Sequence, residues 1–163
     1  MRGIRRKEKA IESDEEMMTI LERAKYVTIA MCQDNEPYLV TLSHGFDREK
    51  HCIYFHCAHE GKKIDILNAN NTVWGQAIDD KGYVEGACDH LWATTQFRGT
   101  VSFIKNAAEK KHALRIMIHQ LEPNPKKVIE TQITAKSLKR VNIGRIDIDY
   151  MSGKRSKEVI ISV

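Results

Sequence analysis

The chain has 163 residues, of which 42% are hydrophobic and 29% charged. That is the length of one ordinary domain and the balance of a globule, which excludes a disordered or fibrous chain. The net charge of +4, from 26 basic and 22 acidic residues, is too mild to mark a nucleic-acid binder.

The stretch from Met1 to Lys7 is basic, but Glu8, Glu12, Asp14, Glu15 and Glu16 offset it at once. No apolar run follows, so it is not a secretory signal. Residues 1–12 are assigned as a basic leader, and residues 13–163 as a single domain. Ser13 followed by Glu16 is a capping-box pattern, and Met17, Ile20, Leu21 and Ala24 share one helical stripe, which predicts a helix over 14–25. Tyr26 to Cys32 is β-branched and apolar and predicts a strand. Turn chemistry at Asp34-Asn35-Glu36-Pro37 leads to a second strand, Tyr38 to His44. A second turn, Gly45 to Lys50, leads to a third strand, Cys52 to Cys57.

Glu60-Gly61-Lys62-Lys63 opens a short helix over 61–69. Thr72 to Ile78 is a fourth strand, Asp79 to His90 a polar stretch containing glycine, and Trp92 to Ile104 a long fifth strand. Asn106 with Glu109 caps a helix whose Ala113, Ile116, Met117 and Gln120 share a face, and Pro123 and Pro125 end it. Residues 126–142 read equally as strand or helix. Ile146 and Ile148 alternate with Asp147 and Asp149 in a last strand, Ile143 to Tyr150. The order β-β-β-α-β-β-α-β is a mainly β chain, a β-barrel with peripheral helices, because strands and helices do not alternate as in a doubly wound sheet.

Cysteines 32, 52, 57 and 88 contain no CxxC pair and are read as reduced thiols in a cytoplasmic protein. No segment approaches the roughly 20 apolar residues of a membrane span. His51, Cys52, His56, Cys57 and His59 crowd nine positions. Strand alternation sends Cys52 and His56 to one face and Cys57 to the other, so they do not converge on a metal. Gly61-Lys62-Lys63 is either an exposed basic turn or a phosphate site at a helix start. Gln96 and Arg98 share a face of the fifth strand; Arg98 is a surface charge or a second phosphate clamp. Gln96 needs a polar partner, either a planar ligand or ordinary backbone. No nucleophile elbow, Walker loop, GxGxxG or HExxH is present, so any chemistry points to an imported cofactor.

Three stretches carry a family resemblance: Pro37 to Asp47, Ile53 to Asp65 with its Tyr54-Phe55-His56…Gly61-Lys62-Lys63 block, and Ala93 to Val101, with the late Gly153-Lys154. Together they resemble the flavin-binding split barrels of the pyridoxamine phosphate oxidase type, and most closely their nitroimidazole-resistance (Nim-like) branch. The resemblance implies a six-stranded antiparallel split barrel forming a homodimer, with one FMN in each of two clefts between subunits. It also implies that Lys62 and Lys63 lie near the FMN phosphate and that the backbone of Val40, Thr41 and Leu42 runs along the flavin. Gln96, and more weakly Arg98, would contact the cofactor, and His56 would serve at the active site. The Arg-x-His that pyridoxamine oxidases carry near the C-terminus is absent, since the chain ends Glu158-Val159-Ile160-Ile161-Ser162-Val163. The expected function is therefore an FMN-dependent oxidoreductase acting on a small acceptor, nitroaromatics among the candidates, with no nucleic-acid or membrane partner. The alternative is a split-barrel protein that binds flavin, or haem through His44, His56 or His59, without turnover.

Overall fold

Residues 3–163 are described by a computed structural model. A short strand, β1 (Ala10–Ile11), precedes helix α1 (Asp14–Arg23), whose Ser13 Oγ accepts the Glu16 N–H at 3.3 Å. Met17, Ile20 and Leu21 are buried along one side of α1, as the stripe predicts. In β2 (Tyr26–Gln33) Val27, Ile29 and Met31 point inward, alternating with more exposed neighbours. Asp34 and Asn35, with φ of 51° and 63°, make the two-residue turn into β3 (Glu36–Ser43). Both central residues in the left-handed region is the turn that matches strand twist.

The chain continues through β4 (Gly45–Asp47), β5 (Cys52–Cys57), α2 (Lys62–Ala69), β6 (Thr72–Val84) and β7 (Asp89–Phe103). Helices α3 (Ala107–Leu121), α4 (Pro125–Gln132) and α5 (Ala135–Arg140) then lead to β8 (Asn142–Arg155). The strands pair antiparallel in the order β3-β2-β6-β7-β8-β5-β4, with β1 on the end of β8. The six long strands are those expected for the barrel. β3 and β5 approach one another across the remaining side without pairing, so the barrel is open there.

The interior is filled by Val27, Ile29, Ile53, Phe55, Phe97, Val101 and Ile146 with the apolar side of α1. Two rings are seated on glycines: a Cβ on Gly75 would lie 2.2 Å from Phe97 Cζ, and one on Gly144 would lie 2.2 Å from Phe55 Cζ. β5 is buried on both faces. Ile53 and Phe55 face the barrel, while Cys52 and Tyr54 pack with Ala113, Met117 and Ile143 beneath α3.

Five expectations change, the first being that the presumed Gly45–Lys50 turn begins with the buried strand β4. The end of the presumed leader is structured: Ala10 and Ile11 pair with Lys154 and Gly153, and Ile11 is buried. Met1 and Arg2 lie outside the described residues. The polar stretch from Asp79 to His90 is a hairpin that extends β6 and β7; its side chains are largely solvated, so no apolar alternation marks it. The ambiguous segment is two short helices, with Pro125 at the first position of α4 and a Thr134–Ser137 capping box opening α5. β8 extends five residues past Tyr150, carried by pairing with β7 rather than by its own pattern.

Candidate functional site: the open side and outer face of the barrel

Gly61 caps α2 with a φ of 122°, a left-handed conformation that favours glycine. Its carbonyl accepts the N–H groups of Ile64 and Asp65, which starts the helix. Lys62 is exposed; its Nζ lies 4.7 Å from the Tyr38 ring centroid and 3.7 Å from Glu36 Oε1. Lys63 Nζ lies 5.5 Å from the Phe55 centroid, and Asn70 Nδ2 at the other end of α2 donates to Cys32 O. These contacts hold α2 beside β3 and β5 at the open side of the barrel. Tyr38, Val40 and Leu42 lie there too, packed against the core. Burial pushes the Cys57 thiol above its ordinary pKa, with Lys63 acting against it.

The other face of β3 turns outward. Thr41 Oγ1 lies 2.9 Å from Thr28 Oγ1, and Leu39 is 63% exposed. On this outer face β6 reverses the usual pattern. Gly75 and Ala77 point inward, while Trp74 and Ile78 point outward, with Ile78 55% exposed. Together with Tyr26 and Leu39 they line a groove of about 780 Å³ that also contains Thr28, Gln76 and Gln96. A second groove of about 440 Å³ shares Gln76, Ile78, Asp80 and Gln96 and extends over β7 to His90, Trp92, Thr94 and Lys154.

Each residue singled out from sequence can now be placed. Gln96 is not a buried amide on a core strand. It is exposed on the outer face, and its Nε2 donates to Gln76 Oε1 at 3.3 Å across the β6–β7 pair. Arg98 shares that face as expected, but its Nε is bonded to Asp149 Oδ1 at 2.8 Å, which also raises its pKa. The structure thus favours the surface-charge reading of Arg98. His56 is exposed on the face of β5 that carries Cys52 and Tyr54, away from Phe55 and Lys63. Val40, Leu42, Lys62 and Lys63 come together; Thr41, Gln96 and Arg98 form a separate outer group. Neither groove is lined by Lys62, Lys63 or His56. His44 Nε2 lies 2.9 Å from Leu21 O, and His59 Nε2 lies 2.9 Å from Arg140 O, so each already has a main-chain partner.

Sequence reasoning missed Trp74, Gln76 and the Asp80–His90 pair. A signal for the first two was present, since a strand with small residues on one face and Trp and Ile on the other is apolar on both sides. His90 carried none, because its partner Asp80 lies ten residues away across a hairpin not foreseen as one.

Comparison with known proteins bears on the whole fold. No curated protein matches the chain. Among solved structures, a protein from Bacteroides thetaiotaomicron described as a candidate 5-nitroimidazole antibiotic resistance protein matches with a TM-score of 0.76 and 24% identity, over 90% of this chain and 86% of its own. A FAD-binding protein from Mesorhizobium loti matches with a TM-score of 0.64 and 21% identity, over 88% and 95%. A FAD and haem binding protein from Mycobacterium smegmatis matches with a TM-score of 0.75 and 17% identity, over 95% and 76%. At these identities the structures share the fold. The family described as pyridoxamine 5'-phosphate oxidase matches residues 13–155, nearly the whole barrel, and the chain belongs to that family.

Proposed function

We propose that this protein is an FMN-binding flavoprotein that works as an oxidoreductase on a small acceptor, nitroaromatic compounds included. We further propose that it acts as a homodimer with one FMN in each of two clefts between subunits. Family membership supports a flavin, as do relatives of the same fold that bind FAD.

The observation that carries the reading is the division of the candidate residues. Lys62 and Lys63 stand at the open side of the barrel, and Gln96 stands with Gln76 on the outer face. One copy therefore offers a phosphate anchor and a polar ring-edge partner that share no groove. The outer face also exposes Tyr26, Leu39, Trp74 and Ile78, more contiguous apolar surface than an isolated barrel gains from exposing. A second copy is the occupant that covers this patch and completes each cleft from two halves.

The residues fit the group. The first N–H groups of α2 carry partial positive charge behind a glycine that leaves them open, and two lysines add full charges for a phosphate. Lys62 is held by an exposed pair with Glu36 and by the face of Tyr38, surface contacts exchanged at small cost. The backbone of Val40, Thr41 and Leu42 would lie along the ring, Gln96 would contact its polar edge, and Arg98 would assist once freed from Asp149. When bound, FMN supplies hydride and electron transfer. His56, exposed at the end of β5, is the proposed proton donor to product. The four free cysteines suit a reducing, cytoplasmic setting.

The test is the absorption spectrum of the purified protein, followed by FMN titration and sedimentation. Yellow protein that sediments as a dimer is expected. A colourless monomer that takes up no FMN would remove the proposal.

A further inference from the structure

The β6–β7 hairpin carries a feature that the flavin reading leaves unused. Pairing between β6 and β7 shifts register at Asp80/Gly82, and Gly82 takes a left-handed φ of 94°. A bulge of this kind re-aims the side chains beside it. Here it lets Asp80 Oδ1 reach His90 Nε2 at 2.7 Å, while the same oxygen accepts the Gly82 N–H at 2.8 Å. Those two partners, the Gly82 N–H first, lower the Asp80 pKa. Tyr83 stands edge-on to the His90 ring, with centroids 6.2 Å apart. His90 is thus fixed on an otherwise solvated hairpin: the carboxylate, being acceptor-only, accepts a hydrogen bond from Nε2–H and leaves Nδ1 for another partner.

His90 lines a groove. His90, Trp92, Thr94 and Lys154 continue the surface that holds Gln76 and Gln96. Asp80 is cross-strand from Trp92, and Lys154 from Thr94. At about 3.3 Å per residue, the Trp92 rung lies only about 13 Å from Gln96. Lys9 Nζ lies 5.7 Å from the Trp92 centroid. Among the described residues neither Lys9 nor Lys154 has an acid within ion-pair distance. An indole wall, two unpaired cations and an oriented imidazole suit a flat molecule with a negative charge.

We propose that the groove beyond Gln96 is a binding subsite for a planar aromatic acid. Trp92 stacks on its ring, Lys154 with Lys9 binds its carboxylate, and His90, positioned by Asp80, donates Nδ1–H to that carboxylate in the form that carries protons on both ring nitrogens. This names the substrate class of the same site and so rests on the flavin reading for its role, although its recognition chemistry is separate.

The probe is 4-nitrobenzoate, titrated by calorimetry into the full-length protein with and without FMN. Saturable binding is expected, with nitrobenzene at least tenfold weaker. Lys154→Met and His90→Phe should each weaken the probe at least tenfold while leaving the melting temperature unchanged and FMN affinity within twofold of wild type. Asp80→Asn should also weaken it, and a double variant with His90→Phe should be no worse than His90→Phe alone, as expected if Asp80 acts through His90. Absence of saturable binding, equal binding of nitrobenzene, or unchanged affinity in Lys154→Met and His90→Phe would each overturn the subsite. Probe binding that is sensitive to these variants in a protein that takes no FMN would sink the flavin reading and leave the subsite standing.

Discussion

His44 and Gln120 converge on the same carbonyl: His44 Nε2 lies 2.9 Å from Leu21 O, and Gln120 Nε2 lies 3.0 Å from it. The second Gln120 amide proton goes to Ala24 O at 3.0 Å, and Gln120 Oε1 accepts the Phe46 N–H at 2.8 Å. Two side chains from distant segments thus satisfy the end of α1 and the start of β4 where both meet α3. His44 Nδ1 is buried with no partner, so the neutral ring with its proton on Nε2 is the form that fits.

This arrangement predicts acid sensitivity. Burial pushes the His44 pKa below its ordinary value of 6.5. As pH falls below about 6.5 the unfolded chain binds a proton at this residue and the folded chain does not. Stability from His44 is therefore fully present above that pH and declines from there toward the lower folded pKa. Urea denaturation between pH 7.5 and 5.5 should show the loss, and His44→Gln should flatten the dependence across that window. An identical slope in the variant would count against it.

Gln120→Ala should cost about 2 kcal/mol, because Ala24 O and the Phe46 N–H lose partners worth roughly 1 kcal/mol each while Leu21 O keeps His44. The urea midpoint should fall with an unchanged m-value.

Gly144→Ala should destabilise by about 1–3 kcal/mol or more, because its Cβ would overlap the fully buried Phe55 ring in a packed interior. Gly75→Ala should behave alike through Phe97. Thermal melts of both would decide whether these rings can shift; a stabilised variant would show that they can.

The double variant Lys62→Ala/Lys63→Ala should weaken FMN by about 10- to 100-fold with little change in stability, since charge-assisted bonds to phosphate contribute about 1.5–3 kcal/mol and Lys62 is exposed. Arg98→Ala should change FMN affinity much less, because its guanidinium is already engaged by Asp149. Fluorescence titration measures both.

Trp74→Glu should convert the proposed dimer to monomers in sedimentation and lower FMN affinity with it. A charge in the middle of the outer patch must be desolvated on association, while the isolated chain tolerates it at a half-exposed position. A variant that remains dimeric would exclude this face as the interface.

The sequence by itself determined the barrel strands, the α1 and α3 stripes and the caps at Ser13 and Asn106, because these follow from local periodicity and donor satisfaction. Its block from Tyr54 to Lys63 also carried the family. Only the tertiary structure decided which side of each strand faces what. Gln96 looked like a buried amide but stands outside with Gln76, and β6 turns its large apolar residues outward. Whether a strand face meets a core, solvent or another surface depends on what packs above it, and that is set by sheet order and closure rather than by neighbours in the chain. The same reason hid the Asp80–His90 pair, which a bulge and a hairpin bring together. The division of its candidate residues between two sides of the barrel became visible only when the sheet was assembled.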